Sequence, residues 1–304
     1  MSSALPERAR VSEAAFTAGP TLTYGEFSRS SPAEPEGLLA ERFATDGYLY
    51  FPEVLGEEEL GGVLGEMLQV LQPHIVWDKA RNSPVLQGEP FFESDPLWDE
   101  LYPRIQALES LHRLFHSPAV RRLMRLVAGE ELFVYPMKMA RIAAPRKIGF
   151  ETPPHQDAFS HHAGPTMAGV WIALHDADQA MGRLTILPGS HQHGVRAVHE
   201  AQGVGGVQCE IYAQETHWHV SDVSAGDLIL FHSQAVHRAQ PNTDSHRVRL
   251  SVDSRFCDFG APVFSTNLEP HHGWRIPCLD WNYIYRDWTR DDLQHYWRDY
   301  PALF

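Results

Sequence analysis

His155-Gln156-Asp157 puts an imidazole and a carboxylate two residues apart, and His237 follows eighty residues after Asp157. Two imidazoles and one carboxylate can hold one face of a ferrous ion and leave its other positions open to further ligands. On an extended strand, residues i and i+2 project to the same side, so His155 and Asp157 would reach one ion without a tight turn. Pro153 and Pro154 stiffen the approach and suit a strand entering an edge or turn. An isolated His-x-Asp is more often a hydrogen-bonded core histidine beside a turn aspartate than a metal motif. This is the sole His-x-Asp of the chain, which has no His-x-Glu.

The third ligand is open on spacing alone. His232 ends the apolar run Asp227–Phe231, and His237 begins a short stretch before Pro241-Asn242. Downstream, Arg249 and Ser251 lie two apart on the run Val248–Phe256, so they share a face. An arginine fork binds a carboxylate through two parallel hydrogen bonds, and a neighbouring hydroxyl adds a third. Arg247 shares that parity and is the rival anchor. Asp253 and Arg255 continue the same face, and a structural ion pair is the alternative reading of the whole row. Other pairs, His161-His162, His191/His193, His217/His219 and His271-His272, look metal-like by composition, but none has a carboxylate at matching spacing and 18 histidines make chance pairs common. Phe159, His161, His162 and Trp274 are candidates to contact a substrate, and Trp171 and Lys138 to contact a co-substrate.

The 304 residues suffice for one large domain, and 43% hydrophobic with 11% aromatic residues is a globular composition. Net charge is −14, which argues against a nucleic-acid partner and disfavours a strongly anionic substrate. Three cysteines without a C-x-x-C pair fit a reducing cytoplasm. No secretory h-region or membrane-length apolar run is visible, so cytoplasmic localisation without membrane association is expected. Residues 1–34, rich in Ser, Ala, Pro and Glu, read as a flexible arm, and 35–304 as one domain. Within it a helical layer spans about 36–130. It includes an apolar stripe over Leu55–Leu71 and a helix capped by Ser117-Pro118 and Gly129. About 131–260 carries many short strands broken by Gly, Pro, Asn and Asp, the pattern of a sandwich or barrel. Residues 261–304 form an aromatic C-terminal extension with a helix expected over Arg290–Asp299.

Six ordered segments give the chain a resemblance to the phytanoyl-CoA dioxygenase family of iron(II)- and 2-oxoglutarate-dependent oxygenases. They are Phe43-Ala-Thr-Asp-Gly-Tyr-Leu-Tyr-Phe-Pro52, Pro154-His-Gln-Asp157, Trp171-Ile-Ala-Leu174, Gly182-Arg-Leu-Thr-Ile-Leu-Pro-Gly-Ser-His191, Gly226-Asp-Leu-Ile-Leu-Phe-His232, and His237 with Pro241-Asn242 and Arg249-Leu-Ser-Val-Asp253. The resemblance implies a mainly β fold with a double-stranded β-helix (jelly-roll, cupin-like) core flanked by N-terminal helices. It implies iron on His155, Asp157 and His237, which makes these the catalytic residues, and 2-oxoglutarate on Arg249 and Ser251. It favours His237 over His232 and leans to Arg249 over Arg247. Related halogenases replace the metal carboxylate with a small residue, so the retained Asp157 implies oxygen transfer.

The expected activity is hydroxylation of an unactivated C–H bond of a small molecule with O2, giving succinate and CO2. An uncharged or cationic secondary metabolite or amino-acid-like compound is the expected substrate. A zinc hydrolase on the same three residues, and a β-sandwich that binds a ligand without catalysis, are the rivals. Oligomeric state is not legible.

Overall fold

The computed structural model describes residues 21–146, 149–164 and 166–300. Seven helices occur among them: α1 (Glu36–Asp46), α2 (Glu57–Leu71), α3 (Pro96–Gln106), α4 (Glu109–Leu114), α5 (Pro118–Ala128), the single turn α6 (Asp157–Ser160) and α7 (Trp281–Tyr285). The strands are β1 (Thr23–Gly25), β2 (Tyr48–Phe51), β3 (Ile75–Asp78), β4 (Ser83–Leu86), β5 (Leu132–Ala143), β6 (Ala168–Ala173), β7 (Leu184–Ile186), β8 (Val198–Glu200), β9 (Val207–Cys209), β10 (His217–His219), β11 (Leu228–His232), β12 (His237–Ala239) and β13 (Arg249–Asp258). A five-stranded sheet runs β2-β11-β6-β13-β5 and a four-stranded one β1-β10-β7-β12, with hairpins β3-β4 and β8-β9 apart. This is the mainly β, double-stranded β-helix architecture; its two sheets face each other without closing into a barrel among the described residues. No helix there is long and apolar enough to cross a membrane.

The large sheet is buried on both faces, and its side chains alternate accordingly. Val170, Ile172, Leu228, Leu230, Leu250, Val252 and Phe256 turn to the helical layer. Trp171, Ala173, Ile229 and Phe231 turn the other way, against Ile186 and Met181. Register follows: Ser251 stands opposite Ala173 on one side and Arg141 on the other, and Asp253 opposite Trp171 and Met139. The polar row Arg249, Ser251, Asp253, Arg255 therefore faces the interior between the sheets.

Helix α2 contains Gly61, Gly62 and Gly65, each costing about 1 kcal/mol against Ala. Leu60, Val63, Met67, Val70 and Leu71 are buried from it, at roughly 1.5–3 kcal/mol each, so packing outweighs propensity. Ser117 caps α5 by accepting from Val120 N, and Gly129 ends it at φ 75°.

Three expectations need revision. The arm of 1–34 is not free throughout: β1 pairs in parallel with β10, and Ser30 N donates to Tyr50 O; residues 1–20 of that arm lie outside the described residues. The C-terminal helix over 290–299 is reduced to a 3-10 turn at Tyr296–Asp299, and the regular helix is α7, which Asp280 caps at Tyr283 N. Trp281 and Ile284 of α7 and Trp297 of the 3-10 turn join the same core as the helical layer. Finally, His155 and Asp157 do not share a regular strand: His155 makes an isolated antiparallel bridge with His237, and Asp157 opens α6.

Gly169 on β6 sits under the Phe231 ring, and a Cβ there would meet Phe231 Cζ at 2.3 Å. Phe231 in turn lies 4.6 Å from the His237 ring. Gly169→Ala is expected to lower stability by about 1–3 kcal/mol through overpacking, read by urea unfolding; unchanged stability would mean that Phe231 swings aside freely.

Candidate metal centre

His155, Asp157 and His237 converge. One ligand atom from each lies within 4.8 Å of the others, the sole such group of His, Cys, Asp or Glu among the described residues. The bridge between His155 and His237 is held by both backbone hydrogen bonds, 2.9 and 3.0 Å, which sets the two rings with centroids 4.1 Å apart. His155 Nδ1 donates to Pro153 O at 2.8 Å and His237 Nδ1 to Ala235 O at 3.0 Å. A carbonyl only accepts, so each Nδ1 carries the proton and each Nε2 keeps its lone pair. Both Nε2 atoms face Asp157 Oδ1 at 3.9 Å, too far for hydrogen bonds. Burial pushes the His155 imidazole down to about 3, helped by the neighbouring His237, and burial lowers His237 likewise. Two neutral imidazoles and one anion around a shared space fit a divalent cation.

Asp157 is ionised against the cost of its burial. Arg255 overcomes that cost and holds the carboxyl below the usual range. Arg255 Nη2 donates to Oδ1 at 2.9 Å, and its Nε lies 2.6 Å from Oδ2. Arg255 Nη1 donates to Asp253 at 2.8 Å, and Asp253 receives Arg141 Nε at 2.7 Å and Nη2 at 3.1 Å. Four charges thus alternate in sign: Arg141, Asp253, Arg255, Asp157. Gln156, between the two motif residues, is buried and points away. Its Nε2 donates to Gly194 O and Gln234 O at 2.9 and 2.6 Å, and its Oε1 accepts from Arg196 N at 2.8 Å. It is the clamp that holds the turn from the bridge into α6.

The cavity beside the trio measures about 1030 Å³ with its mouth and is bordered by His155, His237, Trp171, Arg141 and Arg249. Arg249 is buried, its Nη1 donates to Ser251 Oγ at 2.8 Å, and it forms no ion pair among the described residues. Its Nε has no hydrogen-bond partner among the described residues. Burial, reinforced by Arg141, depresses the guanidinium to about 10. Trp171 lies beneath it, 5.9 Å from ring centroid to Cζ. A buried guanidinium with orphaned N–H groups calls for an anion, and a dicarboxylate such as 2-oxoglutarate fits that need.

The rival candidates lie elsewhere. Arg247 precedes β13 and is consumed by Asp244 at 2.7 Å and Asp178 at 2.8 Å. His232 accepts from Gln234 N and packs near His191 and Phe43. Lys138 is opposite Ser254, on the helix side of the sheet, where Nζ donates to Tyr135 O and Ser254 Oγ over the Phe115 ring. It is one residue out of phase with the cavity, and burial lowers its basicity strongly. None of the four substrate candidates borders the cavity. His161 binds Asn267 at 2.7 Å, His162 packs near Phe264, Phe159 is exposed, and Trp274 packs on His272. Phe92, Glu93, Trp98, Arg141 and Phe150 border it instead. Arg141 was findable, since period 2 along β5 separates it from Lys138; Phe92, Glu93 and Trp98 carry no local signal.

Arg255→Gln is expected to cost about 3–5 kcal/mol, because two buried carboxylates lose their shared cation, and to weaken divalent-metal binding. Urea unfolding and metal titration check this; a variant as stable as the parent would remove Arg255 from the account. Lys138→Met is expected to leave 2-oxoglutarate affinity within about twofold, since an affinity loss of tenfold needs about 1.4 kcal/mol of lost contact. Calorimetric titration reads it, and a larger loss would return Lys138 to the site.

The sequence profile of the phytanoyl-CoA dioxygenase (PhyH) family matches residues 43–250. A 1-deoxypentalenic acid 11-beta-hydroxylase of Streptomyces arenae is 26% identical over 255 residues, 77% of this chain and 86% of the relative. Phytanoyl-CoA dioxygenase domain-containing protein 1 of Danio rerio is 26% identical over 245 residues, 67% of this chain and 84% of the relative. Among solved structures, the non-heme monooxygenase ThoJ superposes with a TM-score of 0.55 at 23% identity, covering 74% of this chain and 79% of that one, a likeness of fold. The matched span holds both histidines, Asp157 and Arg249, and the chain belongs to the phytanoyl-CoA dioxygenase family of iron(II)- and 2-oxoglutarate-dependent oxygenases.

Proposed function

We propose that the chain hydroxylates an unactivated C–H bond of a small molecule, with iron(II) on His155, Asp157 and His237 and 2-oxoglutarate on Arg249 and Ser251. When bound, the iron, 2-oxoglutarate and O2 supply the oxidising chemistry, with succinate and CO2 as co-products. The chain's own part is positional. The two Nδ1–H donors fix the imidazoles with Nε2 toward the ion. Arg255 keeps Asp157 charged and aimed. Arg249 takes the far carboxylate of 2-oxoglutarate through its Nε and Nη groups, with the Ser251 hydroxyl beside it. Phe92, Trp98, Phe150 and Phe231 border the cavity and limit water around the reacting centre.

The observation that carries this reading is the unpaired, buried Arg249 in the same cavity as the three converging donors. A zinc hydrolase would have no use for it, and a passive binding sandwich would have no use for the donors. The Streptomyces relative is by name a hydroxylase of a small carboxylic acid, which supports hydroxylation as the outcome.

Arg249→Gln is expected to weaken 2-oxoglutarate binding at least tenfold, the value of one or two charge-assisted hydrogen bonds at about 1.5–3 kcal/mol, while metal uptake persists. Titration of 2-oxoglutarate into the anaerobic iron(II) protein, with succinate release as a second readout, checks it. Unchanged affinity, or zinc retention with no 2-oxoglutarate binding by the parent, would sink the proposal.

A further inference from the structure

The cavity wall carries charge that the proposed chemistry leaves over. Arg141, Arg238, Arg249 and Arg255 border it, with Glu93, Glu151 and Asp253. Of the three acids, Asp253 alone is ion-paired to arginines among the described residues. Asp253 is shared by Arg141 and Arg255. Glu151 accepts from Gly149 N at 2.7 Å, and Glu93 lies 3.3 Å from His272 Nε2. Among the cations, Arg255 is spent on Asp157 and Asp253. Arg238 alternates with His237 on β12 and turns to the Tyr24 hydroxyl at 2.8 Å, over the Trp218 ring. Arg249 is assigned to the co-substrate.

Arg141 remains. Its Nε and Nη2 bind Asp253, and its Nη1 makes no hydrogen bond among the described residues. The side chain is 27% exposed and borders the cavity. It stands opposite Ser251, on the same face of the sheet as Arg249. Asp253 is divided between two guanidiniums, so it fixes Arg141 in place without consuming its charge. Around it the wall is aromatic: Trp98, Trp171, and Phe92 with Phe150, whose rings are 5.1 Å apart.

We infer that Arg141 anchors the substrate, and that the substrate is a carboxylic acid with an apolar body. The carboxylate meets Arg141 Nη1 in a charge-assisted hydrogen bond, which a partly desolvated wall strengthens. The apolar body lies along the aromatic side chains. Fixing the acid end on β5 directs a C–H bond of the body toward the metal-binding trio and holds it there, which is the contribution that orientation makes to rate. This rests on the reading that Arg249 takes 2-oxoglutarate.

The test is calorimetric titration of the anaerobic protein, saturated with iron(II) and 2-oxoglutarate, with adamantane-1-carboxylate, abietate and 4-phenylbutyrate, each against its own primary amide. At least one acid is expected to bind tenfold or more tighter than its amide without displacing 2-oxoglutarate. Arg141→Gln is expected to abolish that preference. Since Arg141→Gln leaves Asp253 with one partner and risks misfolding, Arg141→Gln/Asp253→Asn, in which neither charge remains, is measured beside it and is expected to lose the preference too. Equal binding of acids and amides, no binding of any acid, displacement of 2-oxoglutarate by the acids, or a preference that survives in folded Arg141→Gln each overturns the anchor. Failure of 2-oxoglutarate itself to bind the parent overturns the underlying reading instead, so the two failures are told apart.

Discussion

Asp157 must be an anion inside the protein, and the ion pair with Arg255 is what permits it. Burial alone would favour the protonated acid, which donates poorly to a metal. Arg255 reverses that preference, but a lone buried guanidinium would create the same problem with opposite sign. Asp253 answers Arg255, and Arg141 answers Asp253. The four charges balance two against two, and the series ends at Arg141, whose side chain is 27% exposed and borders the cavity. Asp157 is one end of this chain of paired charges and Arg141 is the other.

The fold serves this chain through the alternation of β13. One face of the strand carries Arg249, Ser251, Asp253 and Arg255; the other carries Leu250, Val252 and Phe256 into the helical core. The apolar face contributes the burial energy that offsets the cost of interior charges. The histidines arrive by a separate route, an antiparallel bridge whose backbone hydrogen bonds fix both rings. Gln156 locks the turn between bridge and α6, so the three donors depend on two elements that are themselves pinned. The C-terminal segment secures the cavity's outer wall: Arg275 binds Asp99 of α3 at 2.6 and 2.7 Å, and His272 meets Glu93.

The parts of the site that follow a local period were legible. Arg249 and Ser251 share parity on one strand, and the structure brings both to the cavity side. The helices of the N-terminal layer were legible from stripes and caps, as at Ser117 and Gly129. The His-x-Asp geometry was misread because a period-2 argument assumes a strand, whereas the backbone changes to a helical turn between the two ligands. Lys138 shares the helix-side face with Ser254, so strand parity turns it away from the cavity. Glu93 and Trp98 were invisible for a different reason: they reach the cavity from a loop and a helix more than fifty residues from the metal motif, and only the packing of α3 against β5 brings them there.

Overall charge and the charge of the cavity wall are set by different residues. The chain carries −14, which disfavours a strongly anionic ligand. That excess resides largely on the surface, where salt screens it within about 8–10 Å. Among the described residues the wall of the cavity carries four arginines and three acids, of which Asp253 is shared by two of the arginines. A buried cation is tolerated only if something answers it, so the residues left unanswered after folding describe the ligands better than the net charge does. Arg249, with no ion pair among the described residues, and Arg141, whose Nη1 makes no hydrogen bond there, share the face of the sheet that lines the cavity, and the two differ in kind. Arg249 is buried at the cavity border with no acidic partner among the described residues, so an anion there meets an uncontested guanidinium. Arg141 is held by Asp253 through Nε and Nη2 and borders the cavity, so an anion on its Nη1 shares the guanidinium with Asp253 rather than holding it alone.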